Sequence, residues 1–188
     1  MSTEKATQPV EKNIIFTIEI STPLGPMIAG ATTEGICILE FGNRIRLEQE
    51  IKTLKSLLQA EMVPGRNEHL DQLEHELNQY FAGKLRIFQV KLHTPGNEFA
   101  QTVWKSLQEI PYGTTCSYKE QALRMKNPKA IRAIASTNGR NRLAIIIPCH
   151  RVIGSNGSMT GYAAGVDKKK WLLQFERDHS EKAANLLF

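Results

Sequence analysis

The chain has 188 residues, 41% hydrophobic and 23% charged. That is ordinary globular composition, so wholesale disorder and coiled coil are excluded, and the length suits one domain or two small ones with a buried core. No apolar run approaches the ~20 residues of a membrane span.

Met1 to Lys12 is polar and lacks the apolar segment of a secretory leader. Cys37, Cys116 and Cys149 are far apart and form no CxxC pair, so a structural zinc site is not expected. Free thiols point to a reducing compartment, hence the cytoplasm, with a nucleoid or nuclear location depending on the source. The net charge of +5 is uneven: residues 1–98 hold 10 Lys/Arg against 13 Asp/Glu, residues 99–188 hold 14 against 6. A basic second half is the footprint expected of a polyanion-binding surface, although charge alone favours a merely solvated one.

In chain order, residues 1–12 are expected as a tail. Asn13 to Ile20, Met27 to Ala31 and Gly35 to Phe41 read as strands of a small antiparallel sheet, with a turn at Thr22 to Pro26. Apolar residues at helical spacing predict a helix over Ile45 to Ala60 and another over Leu70 to Phe81, stopped by Gly83. His69 and His75 are six apart, so they share no metal-binding helix face and read as surface residues. Arg86 to Leu92 alternates like a strand. Residues 94–98, beginning Thr94-Pro95-Gly96-Asn97, separate an N-terminal α/β domain (13–93) from a mostly helical C-terminal domain (99–178), with a tail from 179.

Beyond that boundary, Phe99 to Ile110 is helical in spacing, and Ser117 to Glu120 is a capping box opening a short helix to about Met125. Asn127-Pro128 is a second start signal, for a helix from Lys129 to about Ser136 that stops near Asn138-Gly139. Two short helices joined by a tight turn are the outline of a helix-turn-helix. Lys119 to Arg142 holds seven cations and one acid, Glu120, which favours DNA binding over a generic helical hairpin.

Ile145 to Ile153 carries the chemistry. Three isoleucines predict a buried strand that Pro148 ends, bringing Cys149 out beside His150 and Arg151. A lone cysteine in an apolar run is usually inert. Here a base and a cation adjoin it, as an activated thiol needs. Neighbours on extended backbone point apart, so a water is expected to bridge Cys149 and His150. Spacing alone does not select the third group that would orient the imidazole.

Pro148-Cys149-His150-Arg151-Val152 resembles the active-site signature of the O6-alkylguanine-DNA alkyltransferases, the methylated-DNA–protein-cysteine methyltransferases. Pro111 to Gly113, Ser117-Tyr118, Asn127 to Ala130, Arg132-Ala133, Asn138 to Asn141, Ile153 to Ser155, Thr160 to Ala163, and Trp171 to Leu173 with Glu176 occur in the family's order and spacing. The resemblance is dense over about residues 99–176 and thinner over 14–93, where Thr22 to Pro26 and Leu39 to Gly42 carry it.

That resemblance implies a reaction and a set of roles. An alkyl group passes from O6-alkylguanine in double-stranded DNA, and from O4-alkylthymine, to Cys149, once per molecule, with no cofactor and no metal. Glu176 orients His150, which activates Cys149 through water; Asn141 braces the turn. Tyr118 helps rotate the nucleotide and protonate the guanine. Arg132 fills the hole left by the flipped base, and Ala133 permits close approach to the minor groove. Lys129, Arg140 and Arg151 join the DNA-facing set; Val152, Tyr162 and Ala163 line the base pocket. The protein is expected to act as a monomer, away from membranes.

Several positions depart from the family pattern: Arg142 stands in place of proline, implying a looser turn or a phosphate contact. Ala135-Ser136-Thr137 is bulkier than usual, and Ala164 and Val166 replace a common Gly and Leu. The competing readings are a non-enzymatic alkylguanine-recognition protein, which would lack the reactive cysteine, and a Cys-His-Glu hydrolase, which would need an oxyanion hole.

Overall fold

The structure, a computed structural model, describes residues 13–159 and 161–180. The expected tail 1–12, Thr160 and residues 181–188 lie outside the described residues. Strands β1 (Asn13–Ile20), β2 (Met27–Thr32) and β3 (Gly35–Phe41) form the expected antiparallel meander. Helix α1 (Leu47–Leu58) comes next, and a fourth strand, β4 (Ala60–Pro64), pairs parallel to β1, giving the order β3-β2-β1-β4. Short β4 has no clean alternation, so periodicity did not reveal it.

Helix α2 (Glu68–Phe81) is capped by Asn67, whose side chain accepts a hydrogen bond from Leu70 N. It buries Leu70, Leu73, Leu77 and Tyr80 as one stripe, each large apolar side chain stabilising by roughly 1.5–3 kcal/mol. The stretch expected as a strand over Arg86 to Leu92 is not one: only Leu92 bridges, to Ile36. The amides of Gln89 and Val90 donate instead to the Glu76 carboxylate, at 2.9 and 3.2 Å, so they are not free for a strand partner.

The second half contains α3 (Glu98–Gln108), β5 (Cys116–Ser117), α4 (Tyr118–Arg124), α5 (Ile131–Asn138), β6 (Val152–Ile153) and α6 (Val166–Asp178). The capping box of α4 is present in both directions. Helix α5 begins later than its sequence signal, after a 3-10 turn over Pro128–Ala130, and Asn127 makes no side-chain cap bond. Gln121 on α4 and Asn138 at the end of α5 bond each other through buried amides, fixing the two helices.

Ile145 to Ile147 is not a strand. Only Leu143 bridges to Leu39 of β3, after which the chain turns, with Ile145 at φ 73°. A β-branched residue there costs about 1–3 kcal/mol and persists only where its surroundings over-determine it. Asn141 supplies that constraint, accepting from Leu143 N and donating to Ile147 O at 2.8 Å. A buried apolar run satisfies a strand pattern and a buried turn equally. One apolar cluster joins both halves, from Leu39 and Leu77 to Trp104, Ile134 and Leu172. A smaller one under α1 contains Ile15, Ile38 and Leu54.

Candidate active site

Cys149–Arg151 is a 3-10 turn after Pro148, not extended backbone. Cys149 is partly exposed, and its Sγ accepts from Asn141 Nδ2 at 3.3 Å. Asn141 thus holds both the turn and the sulfur. Burial raises the Cys149 pKa, only partly offset by Asn141, and Glu40 adds to the increase. The group therefore rests as a thiol and needs a base.

The next residue on the turn carries an imidazole. His150 is fully buried, and its Nε2 lies 2.8 Å from Glu176 Oε1. A carboxylate only accepts, so Nε2 carries the proton and Nδ1 keeps a lone pair in the neutral ring. Nδ1 has no hydrogen-bond partner among the described residues. Burial pushes the His150 pKa down, against Glu176 and with help from Arg151 and Lys169, which keeps the ring neutral.

Glu176, also fully buried, is the orienting group that spacing could not select. Arg151 grips both its oxygens, Nε on Oε2 at 2.8 Å and a second guanidinium nitrogen on Oε1 at 2.9 Å. Gly113 N donates to Oε2 at 3.1 Å and Tyr80 Oη to Oε1 at 2.9 Å. Burial would raise the carboxyl pKa, but His150 and Arg151 outweigh it and hold Glu176 well below the usual carboxylate range. Arg151 balances the charge of Glu176, so His150 need not be the cation.

The crevice at Cys149 is lined by Glu40, Asn138, Asn141, Ala144 and the loop Gly161 to Ala164. It encloses about 10 Å³, the space of about one water. A larger cavity, of about 560 Å³, lies beyond Arg151 against Phe88, Ile110 and Pro148, and Cys149 does not line it. We place the chemistry at the small crevice, because the thiol and its polar partners converge there.

A Cβ at Gly161, where φ is 77°, would stand 3.0 Å from Tyr118 Oη, so a side chain would crowd that hydroxyl. Burial and the nearby Cys149 raise the Tyr118 pKa, leaving a protonated donor. Tyr162 is buried with its hydroxyl unpartnered among the described residues. The carbonyls of Val152 and Ala163 already accept, from Lys169 Nζ at 2.6 Å and Ile45 N at 3.2 Å, leaving each one lone pair for a base edge.

Lys129, Arg132, Ala133 and Arg140 are all exposed, in the 3-10 turn before α5, on it and just past it. Arg151 does not belong with them: it is buried, bonded to Glu176 and, at 2.6 Å, to Ile110 O. Its expected DNA contact is withdrawn, because the Glu176 carboxylate needs a buried counter-charge.

Two family models cover nearly the whole chain. Residues 15–94 match the 6-O-methylguanine DNA methyltransferase ribonuclease-like domain, and residues 98–178 match the DNA binding domain of the same family. The chain belongs to the 6-O-methylguanine DNA methyltransferase family.

A methylated-DNA–protein-cysteine methyltransferase of Methanosarcina acetivorans is 43% identical over 155 residues, covering 82% of this chain and 94% of the relative. A Mycolicibacterium paratuberculosis protein of the same name is 49% identical over 111 residues, 59% of this chain and 67% of the relative. The Mycobacterium tuberculosis O6-methylguanine methyltransferase crystal structure superposes with a TM-score of 0.76 at 34% identity, covering 93% and 99% of the two chains. A structure of the M. tuberculosis protein in complex with DNA gives 0.73 at 36% identity, over 89% and 94%.

The family departures take on structural meaning. Arg142 neither loosens its turn nor faces phosphate: it is buried, with Nε on Glu50 at 3.1 Å and another nitrogen on Pro95 O at 3.1 Å. Thr137 is fully buried and bonds Ala133 O, so its bulk faces the core rather than a groove. Ala164 lines the crevice beside Cys149, whereas Val166 is exposed at the start of α6.

Four residues of the site went unread in the sequence. Glu40 and Arg44 form a buried ion pair, and Arg44 also donates to Gly139 O at 2.8 Å and Asn141 O at 3.0 Å, clamping the turn from the first half. Their signal was a charge inside an apolar strand with its opposite four residues on. Lys169 lies on the buried stripe of α6 with Leu172, Leu173 and Glu176, a spacing of 3, 4 and 7 that separates it from its exposed neighbours. Tyr80 sits on the equivalent stripe of α2.

Proposed function

We propose that this chain repairs alkylated DNA by moving the alkyl group from O6 of guanine, and in the same manner from O4 of thymine, onto Cys149. The carrying observation is that Cys149, its Sγ held by the Asn141 amide, shares one 3-10 turn with His150, whose ring is held by the buried Glu176. His150 Nδ1 takes the thiol proton through a water. The thiolate forms a sulfur–carbon bond as the carbon–O6 bond breaks, its electron pair passing to the guanine. Tyr118 Oη hydrogen-bonds the guanine as that charge develops, and the released proton finally resides on the neutral base. The crevice must widen for a purine, and the glycine-flanked loop Gly161 to Gly165, with φ 77° and 102° at its ends, is the wall that yields.

The exposed cations of α5 and its flanks face the phosphates, Ala133 lets the helix approach the minor groove, and Arg132 takes the place of the flipped base. Among the described residues no group at Cys149 is suited to hydrolysing a thioether, which favours a single turnover over the hydrolase reading. The partly exposed, braced thiol favours transfer over recognition alone.

The test is a titration with excess O6-methylguanine duplex, counting repaired guanine per protein and locating the adduct by peptide mass. The expected result is one methyl, permanently on Cys149, and none in Cys149→Ser. Turnover past equivalence, or transfer by the serine variant, overturns the proposal.

A further inference from the structure

Tyr80 belongs to α2 in the first half of the chain, yet its hydroxyl donates to Glu176 Oε1 at 2.9 Å, the oxygen that also receives His150 Nε2 at 2.8 Å. The two residues are 96 apart in sequence and both fully buried. The Tyr80 ring is fixed on several sides: edge-on to Phe81 and Tyr112, and tilted against Phe88 and Phe175 at centroid distances of 5.6 Å each. Its hydroxyl therefore has one direction to point. Burial beside Glu176 keeps that hydroxyl protonated, so toward the carboxylate it acts as the donor.

We propose that Tyr80 is a positioning residue for alkyl transfer: by occupying a lone pair of Glu176 Oε1, it limits how strongly the carboxylate holds a proton on His150 and keeps the imidazole available as a base. The physical chain is short. A carboxylate oxygen that accepts more donors carries less charge toward each. Glu176 already receives Arg151 and Gly113, which fix its plane; Tyr80 adds a donor on the oxygen that His150 uses. Removing it leaves Oε1 more basic toward the ring, and a protonated His150 cannot take the Cys149 proton. The other titratable and charged groups facing the pair are Arg151 on the same turn, Lys169 on α6, Tyr162 in the loop lining the crevice, and Tyr112 in the loop after α3, itself near Arg86. All remain in place when only the Tyr80 hydroxyl is removed.

The rate readout rests on the proposed transfer reaction; a titration of the His150 ring by NMR does not. Tyr80→Phe keeps the ring and its packing, and loses only the donor. Single-turnover transfer from O6-methylguanine duplex at saturating protein is followed over about pH 5 to 9, the range in which an imidazole titrates. The acid limb of the profile is expected to move up by about half to one unit, slowing transfer about three- to tenfold on that limb while the high-pH plateau stays within twofold. The His150 ring should titrate higher by the same amount. Phe81→Leu loosens the same aromatic cluster without removing a donor, and should lower thermal stability while leaving the limb unmoved. An unshifted limb with unshifted His150 titration in Tyr80→Phe overturns the inference, as does an equal shift in Phe81→Leu. Wild-type protein that transfers no methyl, with the NMR shift still seen in Tyr80→Phe, overturns the transfer reaction instead.

Discussion

Glu176→Gln puts the whole buried network under one perturbation. Glutamine matches glutamate in shape, but an NH2 replaces one oxygen. Oε1 receives His150 Nε2, an Arg151 nitrogen and Tyr80 Oη, and Oε2 receives Arg151 Nε and Gly113 N. Whichever way the amide turns, it meets at least two donors, and the Arg151 guanidinium loses its ionic partner. Breaking a buried pair by removing one charge costs about 3–5 kcal/mol. For a chain of this size that is a fall in Tm of roughly 6–20 °C.

The pH dependence comes from the direction of the shift. The folded Glu176 pKa lies below its unfolded value of about 4.3, so its contribution is complete above that value and fades as pH falls toward the folded one. The variant cannot titrate there, so the stability gap should be widest at neutral pH and narrow on acidification. Catalysis should suffer separately: without a carboxylate to take the Nε2 proton, the ring can place its proton on Nδ1, where the base is needed. A loss of about 10²–10⁴ in single-turnover rate is expected. Thermal unfolding at several pH values and a rapid-quench transfer assay measure both effects. A variant within about 1 kcal/mol of wild type at neutral pH, or within threefold of its rate, would refute this network.

Arg132→Ala should slow repair within duplex DNA by tenfold or more while sparing reaction with free O6-benzylguanine, which needs no flipping; equal losses on both would place Arg132 in the fold or the chemistry. Cys37→Ser and Cys116→Ser should transfer normally, since burial pushes the Cys37 pKa up to about 12 and raises that of Cys116, and neither has a histidine beside it in the chain to take its proton as Cys149 does; stoichiometric transfer lost in either would contradict Cys149 as sole acceptor. Arg142→Ala leaves Pro95 O and the half-buried Glu50 without their donor and should destabilise by about 1–3 kcal/mol in chemical unfolding, with the salt slope of duplex binding unchanged. A slope reduced by about one would restore the phosphate contact that burial argues against.

The parts of the fold legible from sequence were those where one local rule dominates. The first three strands, the α2 stripe and the Ser117–Glu120 capping box come from alternation, spacing and hydrogen-bond reach. The two failed strands share a cause. At Gln89 and Val90 a carboxylate from another helix takes the amides, and at Ile145 to Ile147 an asparagine side chain takes a carbonyl. Both are satisfactions of backbone groups by side chains from outside the stretch, and no window of alternating residues contains them.

The site divides along the same line. The nucleophile, His150 and Arg151 are adjacent in sequence, so their chemistry could be suspected locally, but the role of Arg151 could not. Beside a thiol and within a basic half, an arginine reads as a DNA contact; only a buried Glu176, 25 residues away, turns it inward. Charge pattern reports how many cations a face could hold, not which are withdrawn to neutralise a buried acid. The same reasoning explains Glu40, Arg44 and Tyr80, which reach the site from the first half through one shared core. A base that must stay neutral in a dry interior needs an oriented acceptor, and that acceptor needs a counter-charge and further donors. The donors come from wherever packing can fix a side chain rigidly. The first half of the chain is therefore coupled to the chemistry through hydrogen bonds, and substitutions there should alter the rate and its pH dependence as well as stability.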